Sequence, residues 1–550
     1  MSKSKKNILV SVAWPYANGG IHIGHMAGCY LPADIFARFH RMLGNNVLMV
    51  SGSDAHGTPV VIKSIQENKT PEQLFNFYHK DILKTWKNIG IDFDLFTSTH
   101  TENHEKVVQD IFLDLLGKGF IYAQEMILPY CSECERFLAD RYIEGTCPNS
   151  ECNSKDARGD QCDNCGKTLD PKDLIDINCK ICSKSDVISF EKSDHYFLKL
   201  SHFQNDLKQW LNSKNNFKSN VKNTSLGFLS EGLIDRPITR DIDWGVKVPV
   251  KGWETKRIYV WFEAVLGYLS ASIEFFSTTD DKDGWKNFWQ NSSEAYYFMG
   301  KDNIIFHSII LPSILLGKGE LNLPHNIPAN EYLNLEGLKL SSSRNWALWV
   351  NELSDIYEPD SIRYSLASNF PETSDTDFSL DELIRSNNQE LVATYGNLVN
   401  RIVNICIKNF DSKIPKAIQI DDDSQKIIDM CHDTLRVVKD EISNVRLRRG
   451  LSEIMKLCGN INKYIDLKEP WKLVKSDEEK ASEVIWVCMT SINCLKILFN
   501  PYIPFSSEKL NKILGFSNDL ISKWEWTEYD LPINQEINSL GPLFKKIEVA

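Results

Sequence analysis

Residues 8–28 read ILVSVAWPYANGGIHIGHMAG. Ile8–Ala13 is a short, unbroken apolar run that stops before Pro15, which predicts a buried strand. Gly19 and Gly20 let the chain turn sharply. MAGCYLPADIFARFHRML then predicts a helix, and NVLMVSG a second strand. Strand, helix and strand in that order open a parallel α/β sheet. His22 and His25 are three apart and share a face of the first helical turn. That turn exposes free N–H groups and the positive end of the helix dipole. Two imidazoles there make a phosphate site, and Gly24 between them lets a flat ring approach the backbone.

The chain has 550 residues, 42% hydrophobic and 25% charged. This is the composition of a globular protein with several domains. No apolar run approaches the roughly 20 residues that cross a bilayer. The start, MSKSKKNILVSVAWPY, does not read as a signal peptide, so the expected compartment is the cytoplasm, with no membrane partner. A net charge of −12 excludes a general coating of nucleic acid, though a local basic face would suffice for an RNA partner.

Five stretches follow. Residues 1–115 alternate strand and helix signals, and 116–234 form a cysteine-, glycine- and asparagine-rich insertion. Residues 235–325 return to α/β signals, with RIYVWF and AYYFMG as expected strands. Residues 326–385 are mixed, and 386–550 are helical. Leu398, Val399, Ile402, Val403 and Cys406 make one apolar helical face.

Eight of the 14 cysteines lie in the insertion as four pairs: Cys131/Cys134, Cys147/Cys152, Cys162/Cys165 and Cys179/Cys182. In a reducing compartment such pairs read as metal ligands. Two thiolate turns complete one tetrahedral site, so four predict two structural zinc ions standing in for a hydrophobic core. The spacing leaves open which turn pairs with which.

Four further strings carry chemistry. Asp54 in SGSDAHGTP follows the second strand, where parallel sheets bind ligands, and a carboxylate there suits an ammonium group. Trp261, Ala264 and Tyr268 in YVWFEAVLGYLS share a helical face and suit a snug apolar pocket. In MGKDNIIFHS, Gly300, Lys301 and Asp302 end another strand. Asp302 suits ribose hydroxyls and His307 a pocket wall. EGLKLSSSRN, residues 336–345, is a flexible, hydroxyl-rich loop with cationic ends.

Together AWPYANGGIHIGH, SDAHGTP, the cysteine-rich insertion, YVWFEAVLGY, GKDNIIFHS, LEGLKLSSSRN and the helical C-terminal part resemble methionyl class I aminoacyl-tRNA synthetases, the archaeal form looking nearest. The resemblance implies an α/β fold: a Rossmann-like doubly wound parallel sheet, an inserted zinc-knuckle domain and a C-terminal helical anticodon-binding bundle. It implies a methionine–tRNA ligase that joins methionine to ATP as an adenylate and transfers it to the 3′ end of tRNA, with Mg²⁺ accompanying ATP. By resemblance Ala13, Trp14, Tyr16, Asp54, Trp261, Ala264, Tyr268 and His307 surround methionine, and Gly24, Arg240, Gly300, Asp302 and Lys339 lie on the ATP side. His22, His25, Lys339, Ser341, Ser343 and Arg344 act on the phosphates. Asn404, Lys408 and Trp471 contact the anticodon.

Trp14 stands where leucine is common, Val265 where bacterial relatives often carry proline, and Lys408 where they carry arginine. The loop often written KMSKS has serine for its second lysine here, with Arg344 the nearest replacement cation. The chain's end soon after PLFKKIEV implies a monomer, or one served by a separate tRNA-binding protein. The rival readings are another class I synthetase for an apolar amino acid, a non-tRNA adenylate-forming enzyme, and a non-catalytic zinc- and RNA-binding scaffold.

Overall fold

The computed structural model describes residues 5–138, 142–159, 162, 164–165, 167, 169–340, 346–517 and 522–548. Ser341, Ser343 and Arg344 lie outside the described residues. Five strands build the central sheet: β1 (Asn7–Val12), β2 (Asn46–Ser53), β3 (Leu95–Ser98), β4 (Ser293–Gly300) and β5 (Ala329–Asn330). Their order is β5-β4-β1-β2-β3, and every pairing is parallel. This is a doubly wound sheet, whose crevice lies beyond the carboxyl ends of β1 and β4, where the strand order reverses.

Strand period explains the unbroken apolar run of β1. Ile8, Val10 and Val12 enter one core with Met49, while Leu9 enters the other with Leu48 and Val50. Both faces are covered, so neither set is polar. RIYVWF departs from its expected strand. Only Arg257–Ile258 is strand, and a helix starts at Val260. Its β-branched and aromatic residues suit a strand, but Phe262, Val265, Leu266 and Leu269 reach the second core at helical spacing.

In the insertion, Ile121–Cys131 and Ile188–Leu198 pair antiparallel along their whole length, Ile121 opposite Leu198 and Cys131 opposite Ile188. The cysteine turns sit at the far end of this ribbon. The helices Gln204–Ser213 and Ser219–Ser230 fold back and place Leu207, Leu211, Val221 and Leu229 in the same core as Leu9.

The C-terminal part is a helical bundle. Its helix Glu478–Phe499 is long and apolar enough to cross a membrane by length and composition. It is instead the bundle's buried core helix, with 94% of that apolar window inside the protein. Arg363, fully buried, ties this bundle to the sheet layer. It pairs with Asp34 at 2.7 Å and donates to the carbonyls of Pro501 and Tyr502.

Candidate active site

The segment after β1 is held open for a ligand. The Ala13 N–H donates to Phe298 O of β4 at 2.9 Å, and Tyr16 bridges to Asp54. A small cavity of about 80 Å³ lies above. It is lined by all eight residues expected there: Ala13, Trp14, Tyr16, Asp54, Trp261, Ala264, Tyr268 and His307. Val260, Val265, Asn303 and Phe306 complete the wall. The sequence reading noted Val265 only as a departure from the family pattern and missed the other three, although Asn303 and Phe306 are helical neighbours of His307.

Trp14 fits because two glycines make room. A Cβ at Gly52 would lie 2.5 Å from its Cζ3, and one at Gly267 2.7 Å from its Cζ2. Asn303 O accepts from His307 Nδ1 at 2.9 Å, which leaves Nε2 to accept the Tyr268 hydroxyl at 2.7 Å. Burial lowers His307 to about 4, so the ring is neutral and the wall carries no charge there.

Asp54 is the pocket's carboxylate and is 3% exposed. It accepts from the His56 main-chain N–H at 3.1 Å and from Thr99 Oγ1 at 3.4 Å. Burial, then the like charge of Glu263, push it up to about 8. A cation brought into the pocket supplies what this carboxylate lacks.

His22 and His25 form a capping box, with His22 as N-cap. His22 Nδ1 accepts from the His25 N–H at 3.2 Å, and His25 Nδ1 from the His22 N–H at 3.4 Å. The rings stack 3.6 Å apart. Burial lowers both rings, His25 to about 4. Both are therefore neutral near pH 7, and each carries its proton on Nε2, aimed away from the backbone. The expected free N–H groups are partly consumed: the Ile23 N–H donates to Leu348 O and the His25 N–H to its neighbour. Both Nε2–H groups remain as donors that an anion could meet.

His22 and Asp302 line a cleft of about 1030 Å³, together with Gly19, Gly20 and Leu340. Leu340 packs over Gly24, where a Cβ would meet its Cδ1 at 2.7 Å. Gly300 leaves space for Asp302, whose Oδ1 would lie 2.7 Å from an added Cβ. Lys339 holds its ammonium 4.3 Å from the Tyr332 ring centre. Arg240 lines neither cavity. Its guanidinium stacks on Tyr259 at 3.7 Å and donates to Thr239 O.

The family model described as tRNA synthetases class I (M) matches residues 8–403, and that of the anticodon binding domain of methionyl tRNA ligase matches 414–549. The chain belongs to the methionyl class I tRNA synthetases. A methionine–tRNA ligase of Dehalococcoides mccartyi (strain CBDB1) is 46% identical over 543 residues, 99% of this chain and 97% of the relative. One of Roseiflexus castenholzii is 44% identical over 578 residues, with the same shares. The fold is that of Mycobacterium tuberculosis methionyl-tRNA synthetase, solved with methionyl-adenylate, at a TM-score of 0.82 and 23% identity over 98% of this chain and 99% of that one.

The synthetase's eight insertion cysteines gather as two clusters, Cys131/Cys134/Cys179/Cys182 and Cys147/Cys152/Cys162/Cys165. The pairing that spacing left open is nested, first turn with fourth and second with third. Sulfur separations are 3.7 Å (Cys131–Cys182), 3.8 Å (Cys134–Cys179), 3.9 Å (Cys147–Cys165) and 3.7 Å (Cys152–Cys162). A tetrahedral ion with bonds of about 2.3 Å sets its sulfurs about 3.8 Å apart, so both clusters fit one. Among the described residues, the module's buried apolar core is nine residues, four of them cysteines.

In the bundle, Asn404 and Lys408 are exposed on the helix Asn397–Asn409. Arg401, one turn earlier, lays its guanidinium 5.1 Å from the ring centre of half-exposed Trp471. Arg446 and Arg449 both pair with buried Glu441.

Proposed function

We propose that this synthetase activates L-methionine with ATP and transfers it to the 3′ end of tRNA(Met), reading the anticodon with its bundle. The observation that carries the reading is the pocket itself. One buried carboxylate, with no salt bridge of its own among the described residues, sits in the wall of an apolar, aromatic cavity, beside a cleft of nucleotide size. Asp54 takes the amino group, and the Trp14, Trp261 and Tyr268 rings take the thioether chain, whose polarizable sulfur suits aromatic contact.

The methionine carboxylate then attacks the ATP α-phosphorus in line and expels pyrophosphate. The protein positions the reactants and stabilises charge on phosphate oxygens. His22 and His25 donate Nε2–H to those oxygens. Lys339 brings a charge to the departing pyrophosphate. Mg²⁺ arrives on the triphosphate and shares that charge. Asp302, Gly24, Gly300 and Arg240 belong to the nucleotide side. In the second step the terminal ribose hydroxyl of the tRNA attacks the adenylate carbonyl, gives up its proton and expels AMP. Trp471 offers a stacking face, and Asn404 and Lys408 polar groups, to an unpaired anticodon base. The two cysteine clusters hold two zinc ions with a structural role, since all four positions of each are thiolates.

Amino-acid-dependent ATP–pyrophosphate exchange across all twenty amino acids tests the reading. Exchange with methionine is the expected result, and exchange with another amino acid instead would overturn it. Metal analysis of protein purified without chelator is expected to give about two zinc ions per chain.

A further inference from the structure

Behind the pocket lies a buried charged cluster with no part in the reaction just described. Glu263 is fully buried, and its two oxygens lie 3.0 and 3.1 Å from His56 Nδ1. His104 Nε2 lies 3.6 Å from the same carboxylate, and its Nδ1 meets Ser270 Oγ at 2.9 Å. His56 Nε2 meets His100 Nδ1 at 3.3 Å. The His100 ring stacks on Trp244 at 4.6 Å, and the Trp244 indole donates to Ala55 O at 2.7 Å.

The two ends of this cluster abut the two working parts of the pocket. His56 donates its main-chain N–H to Asp54 Oδ1. Glu263 lies on the helical turn that carries Trp261 and immediately precedes Ala264. The pair spans 207 residues of sequence. Two charged groups 5% and 0% exposed cost desolvation that packed apolar residues would avoid. A stability role alone therefore accounts poorly for them.

We propose that the buried His56–Glu263 ion pair is a positioning device that ties the Asp54 carboxylate to the Trp261–Tyr268 wall of the pocket. This rests on Asp54 as the ammonium site. His56 and Glu263 touch no substrate and act through Asp54.

The electrostatics give the device a signature. Burial raises Asp54 most, Glu263 raises it further, and His56 pulls it down. Burial disfavours charge on His56, but Glu263 more than offsets this and raises it. Burial raises Glu263, and His56 and His104 overcome that to hold it at about 2. The other titratable groups facing the cluster are few. His100 and His104 are lowered by burial, Glu72 and Glu105 act on the histidines, and Tyr268 is kept protonated on the far wall. Removing His56 leaves Asp54 facing Glu263 alone and raises it. Removing Glu263 takes away the larger repulsion, and with it the reason for His56 to be charged, so Asp54 falls.

The experiment is the pH dependence of kcat/KM for methionine in pyrophosphate exchange. Asp54 must be ionised to hold an ammonium group, so the rate climbs as pH rises through its pKa. In His56→Gln the acid limb is expected to move up by about one pH unit, with a rise of about tenfold in methionine KM at neutral pH and an unchanged ATP KM. In Glu263→Gln the limb is expected to move down, by less. A limb that stays in place in His56→Gln, or limbs that move the same way in both variants, overturn the proposal, because a merely structural pair has no reason to shift them oppositely. If Glu263→Gln does not fold, His56→Gln alone decides by the same criterion. Asp54→Asn is the control: if it leaves methionine KM unchanged, the ammonium reading fails first and the pair's role goes with it.

Discussion

The two cavities of the active site share β1 and the turn after it, yet they are built in opposite ways. The proposed methionine pocket encloses about 80 Å³ between rings locked by neutral hydrogen bonds, such as Tyr268 to His307. The proposed nucleotide cleft opens to about 1030 Å³ and is edged by Asp302, His22 and the loop residue Leu340. Packing finishes the first before any ligand arrives. On the proposed reading, the second presents donors to the ligand's phosphates and Asp302 to its ribose. On that reading, selectivity for the amino acid rests on shape and one carboxylate, and rate rests on groups that meet charge only as the reaction proceeds.

Substitutions on the two sides are expected to divide accordingly. Asp54→Asn has the largest effect, because it leaves a bound ammonium buried without its counter-ion, a loss of about 3–5 kcal/mol. Methionine-dependent exchange should drop by two orders of magnitude or more, by about that energy. An Asp54→Asn enzyme with near-normal methionine KM would erase the contrast between the cavities. His25→Ala comes next and should show the other pattern, kcat down by about 10²-fold with methionine KM little changed. Single-turnover adenylate formation is the direct readout. Trp471→Ala lies outside both cavities and should leave exchange intact while weakening tRNA charging by about 1–3 kcal/mol, the worth of one base stack. Tyr268→Phe is the mildest. Loss of its hydroxyl leaves His307 Nε2 unpaired and should cost about 0.5–1.5 kcal/mol in methionine kcat/KM, with ATP KM unchanged.

Much of this site was legible as strings because each string ends a strand. Ala13 to Tyr16 follow β1, Asp54 follows β2, and Gly300 closes β4 with Lys301 and Asp302 just beyond. In a parallel sheet such ends share one edge, so local motifs converge without any knowledge of packing. What escaped was whatever depends on a partner distant in sequence. Glu263 was the one charged residue in YVWFEAVLGYLS, a visible anomaly, but nothing local says that His56 answers it. Arg240 was placed by resemblance alone, and its stacking on Tyr259 is a contact that no local string announces. Trp14 is an odd substitution in isolation and an explicable one once Gly52 and Gly267 are seen beside it. The strand expected at RIYVWF failed because composition suited either element, and only the second core decided.

The nesting of the cysteine clusters imposes an order of events. The inner cluster joins residues 10 and 18 apart in sequence, and the outer one residues 45 and 51 apart. Closing a loop costs more entropy the longer it is, so the inner knot is the cheaper to tie first. Once tied, it removes much of the slack between Cys134 and Cys179 and lowers the cost of the second. The outer knot sits where the ribbon Ile121–Cys131/Ile188–Leu198 ends, and fastens both strands at Cys131 and Ile188. With the proposed zinc ions in place, loss of the inner ion would fray the tip alone. Loss of the outer ion would release the whole tip, inner site included, from its fixed place at the end of the ribbon.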